Sequence, residues 1–550
     1  MSARRARGVL TGAMVLSFVT ALYFSRGTTF SGDEMTWIIT SVHFDLATLL
    51  TPHGGHLQFV PRVVYKALLE LSGLDYLPFR ILTAAMICVT VGLLFKYLAS
   101  RIPPVVALAP CLVLLFFGSD PLHALQGNGF TVLLAMSMGL LALIAFERNS
   151  RLGDVVASAA LVVGIATYSV ALPFVLAIAV AAAARREIRS RIWVAAVPAV
   201  LYVAWLVWAK STDAGGVGSS ADFTNLLLIP AWSFQALAAV GSALSGVSFD
   251  FSEGSSGLAS SLGAPIAVGI LVLTAILVHR NGISIKLLTV IVAALGLWSM
   301  QALVSHGGGL EISARLPDDA RYMYPGAIVV VMVLAEAARN VNWSNLTVAI
   351  VAVVALAGLG TNFYLLREAG TDLRAQAASF HRGAAIYDLM ARIVGTEDPP
   401  KQKRYDPQVL AVTPGTVLIG MLDLPYGKYE HPTLSPEGLT EEEKQTVDRA
   451  IAVELEASAG SIQPLPSTCR WAPSQGGTSR VEIPFGSSTI ISSADTELKA
   501  GRLASQAVVD LFHAQANKPV TVEVSGTQSV ESPWYIEASG SRLAICQPED

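Results

Sequence analysis

The feature that most constrains this chain is a set of apolar runs that recur through its first two thirds, the longer of them about 18–22 residues. A run of that length can cross the hydrocarbon core of a bilayer. Inside that core every backbone N–H and C=O must be satisfied within the chain, so such runs fold as packed helices. They read at residues 8–24, 77–98, 103–118, 128–146, 154–169, 171–184, 192–209, 262–279, 285–304, 322–338 and 346–365. Hydrophobic residues make up 53% of the chain and charged residues 14%, outside the balance of a soluble domain. From about residue 370 charge, proline and serine return to soluble levels. The expected architecture is a polytopic α-helical membrane domain over residues 1–365, followed by a soluble domain over 366–550.

Sidedness follows from charge. Residues 2–7, SARRAR, are basic and precede the first run, and no small-residue cleavage site follows. This reads as an uncleaved first helix with a cytoplasmic N-terminus. Residues 225–246 are apolar enough to cross, but Pro230, Ser233, Gln235 and two glycines weaken them. If that segment does not cross, Lys96, Arg101, Arg148, Arg151, Arg185, Arg186, Arg189, Arg191, Arg280 and Lys286 all fall on the cytoplasmic side. The expectation is therefore about eleven crossings of a bacterial plasma membrane, with 225–246 re-entrant or interfacial. Loops 31–62 and 306–324 and the soluble tail then share the outer face.

The tail holds Cys469 and Cys546, which fit one disulfide in an oxidising compartment, whereas Cys88 and Cys111 lie in apolar spans as inert packing. Closing that loop stabilises the tail by roughly 4 kcal/mol in the chain-entropy picture. Helices are expected at 373–393 and 440–457 and strands at 479–491, 519–524 and 534–545, as in a small α+β or β-sandwich domain. Trp471, Trp534 and Tyr535 either stack on sugars or fill its core. A net charge of −4 with no basic stripe excludes nucleic acid as a partner.

Ionisable residues in a membrane chain mark function, and here they concentrate in two loops. The first carries Asp33, Glu34, His43, Asp45, His53, His56 and Arg62. Ser31 and Glu34 form S-x-x-E, a capping box, ahead of an amphipathic run with Ile38, Val42, Leu46 and Leu49 on one side. Glu34 is then structural, though it also borders the cavity. Asp33 sits in the first helical turn, where the dipole favours the carboxylate. It can accept a proton from a hydroxyl, or simply complement the dipole. His53-Gly-Gly-His56 gives two imidazoles at three-residue spacing, which could ligate a metal but do not complete a site, so they read as substrate-cavity residues, turn partners or part of a metal site. A helix after Pro61 puts Val63, Val64, Ala67, Leu68 and Leu71 on its apolar side. Arg62, Lys66 and Glu70 lie opposite, with Arg62 a phosphate contact or an interfacial anchor. The second loop runs from His306-Gly-Gly-Gly through Arg315, Asp318, Asp319, Arg321 and Tyr322 to Tyr324-Pro325. Arg321 suits bidentate phosphate binding or snorkelling at the boundary. A third loop, with His123 and Gln126, lies on the same face.

Together these features resemble the GT-C glycosyltransferases, polytopic enzymes that use polyprenyl-phosphate sugars. The resemblance rests on Asp33-Glu34 in the first outer loop, the amphipathic helices after it, and Arg321-Tyr322-x-x-Pro325 opening a late span. It covers residues 1–365; a soluble outer domain also follows the last span in arabinofuranosyltransferases of cell-wall synthesis. It implies Asp33 as catalytic base and Arg321 near the donor phosphate; Arg62, Tyr322 and His306 are read as further donor-phosphate contacts from their positions in the two loops. Glu34, His53, His56, His123 and Gln126 would line the substrate cavity. The implied reaction is inverting transfer to a glycan, lipid or protein acceptor. No cofactor is called for, and a divalent cation stays open. The competing class is a lipid-linked sugar flippase or transporter. Transporters, however, place polar and broken-helix elements at the bilayer midplane, and here the ionisable residues gather at one face.

Overall fold

The computed structural model describes residues 2–212, 223–247, 262–304, 316–394, 424–427, 429–452, 455–460, 469–525 and 532–546. His306 and Arg315 lie outside them, as does the Pro-Pro pair at 399–400. The chain divides into two compact units, Met1–Ala377 and Ala378–Asp550.

The first unit is helical. Its long helices are α1 (Ala3–Phe24), α5 (Leu77–Leu98), α6 (Pro104–Leu115), α8 (Phe130–Phe146), α9 (Arg151–Thr167), α10 (Leu172–Ala184), α12 (Trp193–Ser211), α13 (Ile229–Ser245), α14 (Gly263–Asn281), α15 (Ile285–Leu303), α16 (Met323–Ala337) and α17 (Asn345–Val394). Between them lie α2 (Asp33–Thr40), α3 (Leu46–Leu50), α4 (Phe59–Ser72), α7 (Pro121–Leu125) and α11 (Ile188–Arg191). Starts follow local chemistry. Ser150 and Ser284 cap α9 and α15 through Gly153 and Leu287 N–H, and prolines open α5, α6 and α10, where no intrahelical donor is needed. Among the described residues nine helices are long and apolar enough to cross a membrane; α6 and α10 are shorter apolar helices. The sequence separates a span at 346–365 from a tail helix at 373–393, but one helix, α17, runs through both, because no proline lies between them and the single glycine there, Gly370, does not interrupt it.

Polar contacts sort the helix ends into two sets. At one end Arg101, after α5, donates from Nε to Glu336 on α16 at 2.6 Å, and Lys286 on α15 reaches Glu147, after α8, at 3.0 Å. Arg191 meets Asp154 on α9 at 2.5 Å, and Asn281 donates to Ala337 O. At the opposite end Ser119, after α6, donates to Asn362 on α17, and Asp120 accepts from Tyr324 N on α16. There too Trp205 on α12 donates to Leu50 O, and His56 meets Ser169 ahead of α10. By these contacts α6, α9, α12 and α16, among the described residues, run from one set to the other. For α13 the two ends return to the same set. Asn225, just before it, donates to Ala302 O, while Ala243 O accepts from Asn362. Leu244 O lies 2.1 Å from where a Cβ on Gly358 would stand, so only glycine lets the two backbones touch there. The segment Thr224–Ser245 has the length and apolarity of a span, but the contacts at its two ends both lie in the same set.

The first loop differs from the single amphipathic helix expected. Helix α2 stops at Thr40, where the Thr40 and Ser41 hydroxyls donate back to Thr36 O and Ile38 O. Asp45 then starts α3 afresh by accepting from Thr48 N–H at 2.7 Å. In α4 the expected orientation is reversed: Arg62, Tyr65 and Leu69 are buried, and Val63, Ala67 and Leu71 are exposed. In an interfacial helix the apolar face belongs to lipid, which leaves the mixed face to pack on protein. Lys66 and Glu70 pair at 2.6 Å, as their spacing predicts.

The second unit is a β-sandwich with helices. Its strands are β1 (Leu455–Ala459), β2 (Cys469–Trp471), β3 (Ser474–Gln475), β4 (Thr478–Ile483), β5 (Gly486–Ser492), β6 (Thr496–Gly501), β7 (Val509–Ala514), β8 (Pro519–Val524), β9 (Trp534–Ser539) and β10 (Leu543–Cys546). They form two antiparallel sheets, ordered β1-β8-β5-β10-β2 and β3-β4-β9-β6-β7. Val522, Ile490 and Leu543 from one sheet share a core with Val481, Leu498 and Ile536 from the other. Helix α18 (Glu441–Ile451) opens on a capping box between Thr440 and Glu443 and ends six residues short of 457, because β1 takes over from Leu455. Cys469 and Cys546 are disulfide-bonded across paired β2 and β10. Trp534 and Tyr535 are each 1% exposed, so they are core rather than a sugar platform; Trp471 is 42% exposed.

Candidate active site

Helix α2 is set down with its first turn against the third loop. Glu34 is fully buried and accepts from Tyr65 OH at 2.5 Å, Tyr76 OH at 2.9 Å and Ser31 N–H at 3.0 Å. Tyr76 OH in turn accepts from Gly127 N–H at 2.7 Å, and Thr83 donates to Gly127 O. A Cβ on Gly127 would stand 2.5 Å from Glu34 Oε1, so that position must be glycine. Burial pushes the Glu34 carboxyl up to about 7, against the pull of its four donors. Two expectations change here. The capping box is only half formed, from Glu34 back to Ser31 N–H, and Glu34 has no surface to offer a substrate.

The residue before it behaves oppositely. Asp33 is exposed at the start of α2, and its Oδ1 meets His53 Nε2 at 3.0 Å. Partial burial opposes ionisation. The hydrogen bond from His53 and the nearby charges of His53, His56 and Arg321 outweigh it and hold the carboxyl below its usual range. His53 and His56 exchange backbone hydrogen bonds across a two-residue turn in which Gly54 and Gly55 both have positive φ, 55° and 82°. That turn fans the imidazoles apart: one goes to Asp33, the other to Ser169 Oγ at 2.8 Å and the Tyr168 ring at 4.5 Å.

Arg321 comes to the same place from the far end of the sequence. Asp319 grips it, with Nε to Oδ2 at 2.7 Å and a second contact at 2.5 Å, and the guanidinium lies 5.6 Å from the Tyr322 ring centroid. Its head is 38% exposed, and its charge is among those that lower Asp33. Asp33, His53 and His56 thus form one neighbourhood, and the charge of Arg321 reaches it. Sequence reasoning missed Tyr168 and Ser169, whose available signal was a pair of polar residues in the tight joint between two apolar spans.

Other expected site residues serve elsewhere. Arg62 is buried and donates to Thr48 O, holding α3 to α4, so it is no open phosphate contact. His123 Nδ1 bonds Asp120 at 2.8 Å, and the same fully buried Asp120 carboxylate accepts Tyr324 N–H at 3.1 Å, which moors the start of α16 beside α7. Gln126 is buried at the turn leading to Gly127. Among the described residues no group of three or more His, Cys, Asp or Glu side chains is placed to hold a metal ion.

No protein-family profile matches the chain, and no curated protein matches it. Two solved structures are similar to it, both of ArnT from Cupriavidus metallidurans. The apo form is 14% identical with a TM-score of 0.45, covering 78% of this chain and 86% of that one. The form bound to undecaprenyl phosphate is 14% identical with a TM-score of 0.44, covering 75% and 84%.

Proposed function

We propose that this chain is an inverting membrane glycosyltransferase of the GT-C kind. It moves a sugar from a polyprenyl-phosphate donor to a glycan, lipid or protein acceptor on the outer face of a bacterial plasma membrane. The N-terminus is cytoplasmic and the β-sandwich extracytoplasmic. The observation that carries the reading is Asp33 exposed at the start of α2, its carboxylate against His53 Nε2 at 3.0 Å and within the electrostatic reach of Arg321, nearly three hundred positions away.

In this reaction the acceptor hydroxyl oxygen bonds to the anomeric carbon as the bond from that carbon to the lipid phosphate breaks. The hydroxyl proton passes to Asp33, which is kept ionised for the purpose. The departing phosphate gathers negative charge, and a fixed guanidinium stabilises such charge most in a water-poor site. Because the leaving group is already good, no second carboxyl is needed as general acid, unlike in glycoside hydrolysis. His53 orients Asp33 through its Nε2 contact. Bound on the face opposite the leaving group, the acceptor inverts the anomeric centre.

The test is Asp33→Asn in purified full-length protein, scored by transfer of label from polyprenyl-phosphate sugars. Transfer should fall by at least a hundredfold, roughly the scale of a lost general base, with folded yield unchanged. Normal turnover would sink the proposal.

A further inference from the structure

Three arginines from separate parts of the first unit close on the last carbonyls of α1. We propose that they bind the phosphodiester headgroup of an anionic membrane lipid, an inference independent of any chemistry at Asp33.

The cradle is built on consecutive backbone oxygens. Arg26 donates from Nη1 to Tyr23 O at 2.6 Å, and Arg374 on α17 donates from Nη1 to Phe24 O at 2.9 Å. Arg80, in the first turn of α5, donates from Nη1 to Ser25 O at 2.6 Å. Gly370 lets α17 come this close, since a Cβ there would stand 2.7 Å from Phe24 O. Gly27, with φ 71°, then turns the chain away beside the Arg374 stem. The cradle lies at the same helix ends where Ser119 meets Asn362, for the Phe24 and Phe363 rings pack edge-on with centroids 5.5 Å apart.

Carbonyls satisfy hydrogen bonds but not charge. A helix C-terminus supplies roughly half a negative charge, against three guanidinium groups here. Arg101, Arg191 and Arg321 each hold a carboxylate. Among the described residues Arg26, Arg80 and Arg374 hold none. Asp75 lies within electrostatic reach of Arg80, but its carboxylate is taken up by Leu77 N–H at 2.9 Å. Glu368 and Asp372, the acids nearest Arg374 along α17, fall about 120° and 160° from it around the helix. Arg80 Nε is enclosed with no acceptor, so the protein alone leaves that guanidinium incomplete.

A phosphodiester answers this deficit. Its two free oxygens share one negative charge, and each can accept from more than one guanidinium. The surroundings favour a lipid over a soluble anion. Arg26 lies 3.8 Å over the Tyr23 ring, at the level where aromatic rings mark a membrane boundary. Deeper along the same two helices, Leu16 and Val19 on α1 and Phe363 and Tyr364 on α17 are 41–59% exposed. Such apolar surface meets acyl chains in any case; the arginines add a fixed place for one headgroup. Among the described residues none of the three contacts Asp33, His53 or Arg321, which sets this headgroup apart from the donor phosphate.

The test uses the full chain in neutral detergent micelles, with bound lipid counted by native mass spectrometry and melting followed in parallel. Phosphatidylglycerol should remain as a discrete adduct and raise the melting temperature saturably, whereas phosphatidylcholine should do neither. Arg26→Gln, at an exposed side chain, and Arg374→Gln, whose amide can still donate to Phe24 O, should each weaken phosphatidylglycerol binding about tenfold. Arg151→Gln, exposed at the opposite helix ends, and Asp33→Asn should leave it unchanged. If the Arg374 variant melts early, Arg26→Gln decides. Equal retention of phosphatidylcholine, affinity that survives Arg26→Gln, or the same stabilisation from inorganic phosphate would each overturn the proposal. So would displacement of phosphatidylglycerol by equimolar undecaprenyl phosphate, which would give the cradle to a carrier lipid instead.

Discussion

Adjacent carboxylates at Asp33 and Glu34 have opposite fates because one is solvated beside cations and the other is sealed among tyrosines. Two predictions belong at this scale. Removing the His53 imidazole takes away the largest influence holding the Asp33 carboxyl down, so the Asp33 pKa rises. In His53→Ala the acid limb of the rate–pH profile should therefore move to higher pH; an unmoved limb would separate His53 from Asp33. Glu34 works the other way. Its folded-state value, about 7, lies above its ordinary 4.5, so folding favours the protonated form. Below pH 4.5 both states are protonated and nothing is lost; as pH rises from 4.5 to about 7 the unfolded state ionises first and stability falls. The full loss is about 3 kcal/mol, because each tenfold change in proton affinity is worth about 1.4 kcal/mol. Glu34→Gln should flatten melting temperature across that window, and a wild-type protein already flat there would contradict the assignment.

At the scale of elements, α13 is the informative case. Its composition permits crossing, and its contacts with Ala302 and Asn362 return both ends to one side. Single cysteines at Leu227 and Val247, in a chain lacking Cys88 and Cys111, should react with a membrane-impermeant thiol reagent from the same side. Labelling from opposite sides would make α13 a true span and invert the sidedness of everything after it. The loop helices teach a related point. Apolar spacing in α4 was legible, but which face meets protein was not, because lipid competes for the apolar side.

For the whole molecule, the Cys469–Cys546 bond closes a loop of 77 residues in the sandwich. Replacing both with alanine should lower the unfolding free energy of the second unit by about 4 kcal/mol in the chain-entropy picture. A reductant-insensitive melting transition in the wild-type protein would show that the bond contributes nothing. Opposite the candidate site, Arg101 is buried among Glu147, Glu336 and the Tyr97 ring, 3.4 Å from that ring's centroid. By sequence Arg101 is a solvated topology marker, but its charge also ties α5, α8 and α16 together.

Period, length and charge along the chain were enough to mark most of the long apolar helices, the strands of the second unit and the polar first loop. Those properties are local, and the bilayer makes them strict by forbidding unsatisfied backbone. Asp33 and Arg321 were legible as candidates for the same reason, since ionisable groups are conspicuous in a membrane chain. Only the tertiary structure decided that Asp33 is exposed beside His53 while Glu34 is locked by Tyr65, Tyr76 and Gly127, and that Arg62 and His123 are struts. Each of those outcomes depends on which distant surface arrives at a side chain. A carboxylate, an imidazole or a guanidinium carries the same letter in the sequence whether it meets water, a tyrosine or another charge.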